Sequence, residues 1–243
     1  MMKGIILAGG RATRLRSLTK ITSKQLLPVY DKPMIYYPLQ TLLDAGIKDI
    51  LIIIAPDYAG HFLNLLGSGK EFGARFSYEI QDSPRGLSDA FIVGESFIGK
   101  DKVAMILGDN IFLDHDFAKA IKSFKSGGMV FAKEVPDPKR FGVVEFDKNN
   151  KVLSIEEKPA KPKSNFAVVG LYVYDNRASS YAKALKPSAR GEIEITDLNN
   201  RYLKDGELKV NIIDGVWEDA GTFDSLLRIQ NIVAEKKKDI GSA

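Results

Sequence analysis

Gly4-Ile5-Ile6-Leu7-Ala8-Gly9-Gly10-Arg11-Ala12-Thr13-Arg14-Leu15 is the stretch on which the reading of this chain turns. An apolar run of strand length ends in two glycines and opens into a polar, basic segment that continues to Ser23. Glycines at the carboxyl end of a first strand let backbone N–H groups approach a phosphate, and Arg14 adds a planar cationic fork. The stretch therefore reads as a phosphate cradle. It is not a Walker A loop, because no Gly-Lys-Ser/Thr follows, and its glycine spacing is not that of the dinucleotide fingerprint. Glycine spacing alone favours an ordinary strand-to-helix turn with surface arginines, so the rest of the chain has to decide.

Outward from this stretch, Ile- and Val-rich runs alternate with segments of helical period, the pattern of crossover units around a mostly parallel sheet. Strands are expected at Lys3 to Ala8, Asp49 to Ala55, Arg75 to Ile80 and Val103 to Leu107, the last ending in Gly108-Asp109-Asn110. Met34, Ile35, Leu39, Leu42 and Leu43 share one helical face before Gly46, and further helices are expected at Pro56 to Gly67, Gly86 to Ile98 and Asp116 to Phe124. After Gly128 the links shorten, with strands at Met129 to Glu134, Gly142 to Phe146, Val152 to Glu156, Phe166 to Tyr174 and Leu208 to Ile213. Helices follow at Arg177 to Leu185 and Ile195 to Lys204. Trp217 to Gly221 reads as a turn before a last helix from about Thr222 into Glu235 to Lys238, taken as a solvated charge run. No repeat or low-complexity linker divides the chain, so one α/β domain with two lobes is expected.

Composition narrows the class. The 243 residues, 44% of them hydrophobic, can fill a sizeable core. The 35 basic and 31 acidic residues give a formal charge of +4 without a basic stripe, which argues against nucleic acid as a partner and leaves room for a local basic cleft for small anions. No apolar run is long enough to span a membrane, no export signal is visible, and there is no cysteine, so a cytoplasmic address is expected.

The continuation resolves the first stretch. Leu7 to Leu15 (L-A-G-G-R-A-T-R-L) is followed by Ser23 to Leu39 (S-K-Q-L-L-P-V-Y-D-K-P-M-I-Y-Y-P-L), Leu107 to Asn110 (L-G-D-N), Phe141 to Phe146 (F-G-V-V-E-F), Glu156 to Pro159 (E-E-K-P), Arg190 to Asp197 (R-G-E-I-E-I-T-D) and Trp217 to Thr222 (W-E-D-A-G-T). In this order the blocks closely resemble the glucose-1-phosphate thymidylyltransferases of the sugar nucleotidyltransferase superfamily, over nearly the whole chain. The resemblance implies a single Rossmann-like nucleotidyltransferase domain with a mixed, mostly parallel central sheet flanked by helices. It assigns about residues 1–127 to the nucleotide and 128–243 to the sugar. The expected substrates are dTTP and glucose 1-phosphate, the cofactor Mg²⁺, and the assembly a homo-oligomer.

The same resemblance distributes the roles. Arg14 and Lys24 would hold the triphosphate, and Lys158 the phosphate of the incoming sugar, as the catalytic cations. Leu7, Gly9, Gly10, Gln25 and Asp109 complete the nucleotide site, with Gln81 and Gly86 reading the base edge that thymine and uracil share. Asn110, Gly142, Glu157, Lys158 and Val169 would form the sugar site, and Asp109 with Asp219 would ligate the metal. Asp109 after an apolar strand is also where ligands gather in open α/β sheets, and Mg²⁺ wants hard oxygen donors. Ala12 stands where many relatives have Gly, which a negative φ accommodates; Phe141 replaces a common Tyr and Phe223 a common His. Longer relatives carry an extra C-terminal helical segment at a regulatory nucleotide site, so little inhibition by a distal product such as dTDP-rhamnose is expected. A UTP-preferring transferase, a transferase for another hexose 1-phosphate, and a catalytically silent nucleotide-sugar sensor are the competing readings.

Overall fold

The computed structural model describes residues 1–10 and 13–241; Ala12, with its expected negative φ, lies outside them. The chain runs through β1 (Met2–Ala8), a small hairpin of β2 (Pro28–Val29) and β3 (Lys32–Pro33), α1 (Tyr36–Asp44), β4 (Asp49–Ile54) and α2 (Ala59–Leu66). Next come β5 (Arg75–Ile80), α3 (Asp89–Val93), α4 (Glu95–Ile98), β6 (Lys102–Leu107), β7 (Asn110–Leu113) and α5 (Ala118–Ser123). The second half supplies β8 (Gly128–Glu134), β9 (Gly142–Phe146), β10 (Val152–Glu157), β11 (Phe166–Tyr174), α6 (Ala178–Ala184) and α7 (Ile195–Lys204). It ends with β12 (Leu208–Ile212), β13 (Val216–Asp219) and α8 (Phe223–Gly241).

Nine strands form one mixed sheet in the order β10-β9-β11-β6-β1-β4-β5, with β8 and β12 added beside β11. Its centre, β6-β1-β4-β5, is all parallel. These strands read as unbroken apolar runs because both faces are covered. Ile6, Ile52, Ile54 and Ile106 pack toward Leu39 and Leu42 of α1 and Phe62 and Leu66 of α2. Their alternating neighbours Ile5, Leu51, Ile53 and Met105 pack on the other side with Phe91 of α3 and Leu198 and Tyr202 of α7.

β11 joins the two halves. Leu171 to Tyr174 pair antiparallel with β6, while Phe166 to Val168 overrun the carboxyl end of β6 and pair with β8 and, at Ala167, with β9. The overrun raises β9 and β10 as a wall above the carboxyl edge of the parallel strands, the edge where open α/β sheets hold ligands.

Two findings depart from the expectations. The expected helix over 86–98 is two short helices that meet at Gly94. The segment around Trp217 is not a turn: β13 pairs antiparallel with β7 in a separate two-stranded ribbon, Asp219 opposite Asn110. The Glu235 to Lys238 run continues the last helix as expected and stays largely exposed, with Lys236 paired with Asp114 at 2.6 Å and Lys237 with Asp31 at the surface.

The basic segment after β1 is anchored by a core of its own. Leu15, Leu27, Val29, Met34 and Tyr37 are buried against Ile111 and Ala220 of the ribbon region and Leu226, Ile229 and Val233 of α8. Leu15 is wholly buried beside the exposed Arg14, so it pins a segment that would otherwise be held only by charge. Leu15→Ala should cost about 2–4 kcal/mol of unfolding free energy in a urea titration. A loss below about 0.5 kcal/mol, the usual range of surface changes, would mean that this cluster does not hold the segment.

Candidate active site

A cleft of about 370 Å³ opens over the carboxyl ends of β1, β5 and β6, with β9 and β10 as its far wall. Leu7, Gly10, Arg14, Lys24, Gln25, Gln81, Gly86, Asp109, Asn110, Gly142, Glu157, Lys158 and Asp219, all singled out in the sequence, line it. Two expected residues do not. Gly9 lies just behind the lining, where any Cβ would stand 2.7 Å from Gln81 Oε1. Val169 is fully buried in the apolar core, and its neighbours Val168 and Gly170 face the cleft instead. Successive strand residues point to opposite faces, so an assignment one residue out lands in the core.

The floor holds two carboxylates and a buried lysine. Lys24, on a single 3₁₀ turn Lys24–Leu26, forms an ion pair with Asp109, each side chain only 12% exposed. Burial alone would raise the Asp109 pKa, but the charge and hydrogen bond of Lys24, with a 3.2 Å hydrogen bond from Asn110 Nδ2, outweigh it and hold the carboxyl below the ordinary aspartate range. Asp219 is brought to the same place by the β7–β13 ribbon, and the backbone N–H of Ala220 donates to the Asp109 carbonyl at 2.9 Å. Its Oδ1 is buried without a hydrogen-bond partner, and Arg14 Nη2 stands 4.0 Å from Oδ2. Burial, then the charge of Asp109, pushes the Asp219 pKa up to about 6 against the opposing pull of Lys24 and Arg14.

Two adjacent carboxylates, one with an orphaned buried oxygen, form a donor set suited to a hard divalent cation. Among the described residues no three His, Cys, Asp or Glu side chains gather into a closed cage. Mg²⁺ does not need one, since it takes one or two carboxylates and fills its shell with phosphate and water.

At one end of the cleft, Gln81 is buried after β5 and its Nε2 donates to Asp89 at 2.8 Å. Gly86 has φ +103°, and a Cβ there would strike the Ile193 backbone at 2.5 Å, so this glycine answers to the fit between loops. Hydrogen bonds from Ser88 N to Ile193 O and from Ile193 N to Arg85 O tie this loop to the segment after α6.

The other end is a network of charges. Glu157 accepts from Thr196 Oγ1 at 2.7 Å and from Arg190 at 3.2 Å, and lies 3.5 Å from Lys158 Nζ. Lys158, half exposed, takes φ +42°, a backbone region that costs a non-glycine residue on the order of 1–3 kcal/mol and clusters at functional sites. Asn110 Oδ1 accepts from both Gly170 N and Trp217 Nε1, so most of its amide organises the floor. Trp217 packs on Phe141 with ring centroids 5.1 Å apart, giving an aromatic wall without a hydroxyl.

Arg140, Arg190, Glu192, Glu194, Thr196, Tyr172 and Trp217 also line the cleft and were not assigned from sequence. Most lie in motifs already quoted, where they carried no role of their own. Their inclusion changes the electrostatics. Five cations (Arg14, Lys24, Arg140, Lys158, Arg190) face five carboxylates (Asp109, Glu157, Glu192, Glu194, Asp219) among the described lining residues, so the cleft is formally neutral and not the basic pocket expected.

The cleft gathers Arg14, a Lys24–Asp109–Asp219 floor and Lys158 on the opposite wall around one space, and the chain belongs to the nucleotidyl transferase family, whose model matches residues 3–236. Within that family it is 58% identical over 230 residues to the glucose-1-phosphate thymidylyltransferase of Neisseria meningitidis serogroup A, covering 93% of this chain and 80% of that protein. The enzyme of the same name from Mycobacterium tuberculosis H37Rv is 53% identical over 236 residues, covering 96% and 82%. A Bacillus anthracis crystal structure with sucrose, provisionally named a glucose-1-phosphate thymidylyltransferase, superposes with a TM-score of 0.90 at 49% identity, covering 96% of this chain and 95% of that one.

The Asp219 pKa gives the site a stability signature. An acid whose pKa rises on folding contributes its full stability below about pH 4, the ordinary aspartate range, and loses it as pH climbs through about 6. Above that, the buried charge facing Asp109 is a penalty. Metal-free Asp219→Asn should therefore be more stable than the parent at pH 8 by about 1–2 kcal/mol, allowing for the 30% exposure of the side chain, with the gain fading toward pH 4. Denaturant melts at the two pH values measure it; a pH-independent difference would contradict the assignment.

Proposed function

We propose that this chain transfers a thymidylyl group from dTTP to glucose 1-phosphate, giving dTDP-glucose and pyrophosphate. The observation that carries the reading is the order of groups across the sheet. Gln81 follows β5 and Lys158 follows β10, at opposite ends of the strand order, and the Lys24–Asp109–Asp219 floor lies after β6 between them. A base-reading amide, a polyphosphate floor and a sugar-phosphate cation in that sequence match a nucleoside triphosphate laid against a hexose phosphate. The names of the relatives add to it.

In the reaction an oxygen of the sugar phosphate attacks the α-phosphorus, a P–O bond forms, the α–β bridging bond breaks, and pyrophosphate leaves with the electron pair. Such transfer asks little covalent help of the protein and much placement. Arg14 and Lys24 neutralise triphosphate oxygens. Lys158, with Glu157 beside it, draws the sugar phosphate up to the α-phosphorus, while Glu157, the Gly142 and Val168 backbone and the free N–H of Asn110 meet hydroxyls. Gln81 and Gly86 read the pyrimidine edge. Asp109 and Asp219 would hold Mg²⁺, which supplies positive charge to phosphate oxygens in an otherwise neutral cleft. In this reading the division into a nucleotide lobe over about 1–127 and a sugar lobe over about 128–243 has two exceptions, which face each other across the ribbon: Asp219 serves the nucleotide and Asn110 the sugar.

Pyrophosphate release over a panel of nucleotides and sugar phosphates tests this. dTTP with glucose 1-phosphate should react, with UTP the nearest competitor because it shares the same edge, and purine nucleotides should fail; a preference for ATP or GTP would overturn the reading of the base site. Lys158→Ala should lower kcat/KM for glucose 1-phosphate by roughly 10²-fold while dTTP binding stays nearly unchanged. Lys158→Gly should lose as much activity yet unfold at higher denaturant than the alanine variant, since glycine tolerates the positive φ. Unaltered use of glucose 1-phosphate would leave Lys158 an ordinary surface charge.

A further inference from the structure

The buried amide of Gln81 can be read in only one orientation. Its Nε2 lies 2.8 Å from Asp89 Oδ2, and a carboxylate only accepts, so nitrogen must face it. Asp89 itself is fully buried in the first turn of α3. Its Oδ1 has an ion pair with Arg85 Nη2 at 2.8 Å and takes no hydrogen bond. Gln81 itself lines the cleft, and its Oε1 occupies the space in front of Gly9, 2.7 Å from where a Cβ there would stand. With one N–H committed to Asp89, the remaining N–H and the Oε1 lone pairs are held in a fixed order.

That order is what separates the pyrimidines. Thymine and uracil present an N3–H donor beside the O4 acceptor, whereas cytosine presents an N3 acceptor beside an N4 amino donor. A glutamine free to turn over about its last torsion, which is broad and two-fold, can match either edge. Turning Gln81 over would set Oε1 against the Asp89 carboxylate and leave buried Oδ2 without a donor, and unpaired buried polar groups are what make polar recognition selective. We propose that Asp89 is a positioning residue for base specificity: by holding the Gln81 amide in one orientation, it makes the site reject cytosine nucleotides. The inference rests on Gln81 being the base-reading group. Asp89 touches no substrate in this account.

Asp89→Asn is the direct test, because asparagine can accept from Gln81 Nε2 or donate to Oε1 and so permits both amide orientations at nearly the same size. The ratio of kcat/KM for dCTP to that for dTTP should rise at least about tenfold, with the UTP to dTTP ratio and the KM for glucose 1-phosphate unchanged. A merely structural role would depress all nucleotides together; that result, or an unchanged dCTP to dTTP ratio, overturns the proposal. Gln81→Ala separates the two claims. If it leaves thymine–cytosine discrimination intact, Gln81 is not the base reader; if it abolishes discrimination while Asp89→Asn does not, only the locking by Asp89 fails. A second readout uses the unmutated, nucleotide-free protein: in ¹⁵N NMR, one Gln81 Nε2 proton should exchange with water at least about tenfold more slowly than those of exposed glutamines. Fast exchange of both protons overturns the lock whether or not the variant folds.

Discussion

The contact between Lys24 and Asp109, with Asp219 pressed against it, is the constraint around which the rest of this structure is arranged. Burying a carboxylate is costly unless a partner charge comes with it. Here one lysine serves a floor that holds two carboxylates, and the second keeps an oxygen with no donor at all. The fold enforces this arrangement by means that have nothing to do with the charges. The β7–β13 ribbon fixes Asp219 opposite Asn110, and the cluster around Leu15 and α8 clamps the segment that delivers Arg14 and Lys24. A site held by apolar packing and backbone pairing keeps its electrostatic imbalance available to a ligand.

The same imbalance explains why a formally neutral cleft suits polyanionic substrates. Two of its five cations are committed to carboxylates, Lys24 to Asp109 and Arg190 to Glu157 and Glu194. Arg190 also holds Glu157, and the strained backbone of Lys158 presents a half-exposed amine 3.5 Å from the same carboxylate. Charge that the protein does not supply is left to the cation the two aspartates suit.

The parallel half of the fold was legible because strands buried on both faces leave an unmistakable trace, as in Ile50 to Ile54 and Val103 to Ile106. What escaped was non-local or short. Asn110 to Leu113 and Val216 to Asp219 are four residues each and pair across more than a hundred positions, so neither announces itself, although their pairing is what assembles the aspartate site. The hairpin at Pro28 to Pro33 was hidden by prolines that speak against strands. In the site, most of the residues to which phosphate and metal roles are proposed stand in the ordered motifs, while Val169 for Val168 shows how the two-residue period of a strand turns a one-residue slip into the wrong face. Arg190 and Glu194 stood in a quoted motif, yet only tertiary contacts separate them from solvated surface charges.

The central claim, that Asp109 and Asp219 act as one unit on the polyphosphate, is tested most directly by a double-mutant cycle on turnover. Asp109→Asn and Asp219→Asn should each lower kcat by roughly 10²-fold or more with folding retained, and the double variant should lose little beyond either single change, because residues that serve one ion fail together. Losses that multiply in the double variant would show that the two carboxylates work apart and would contradict the account.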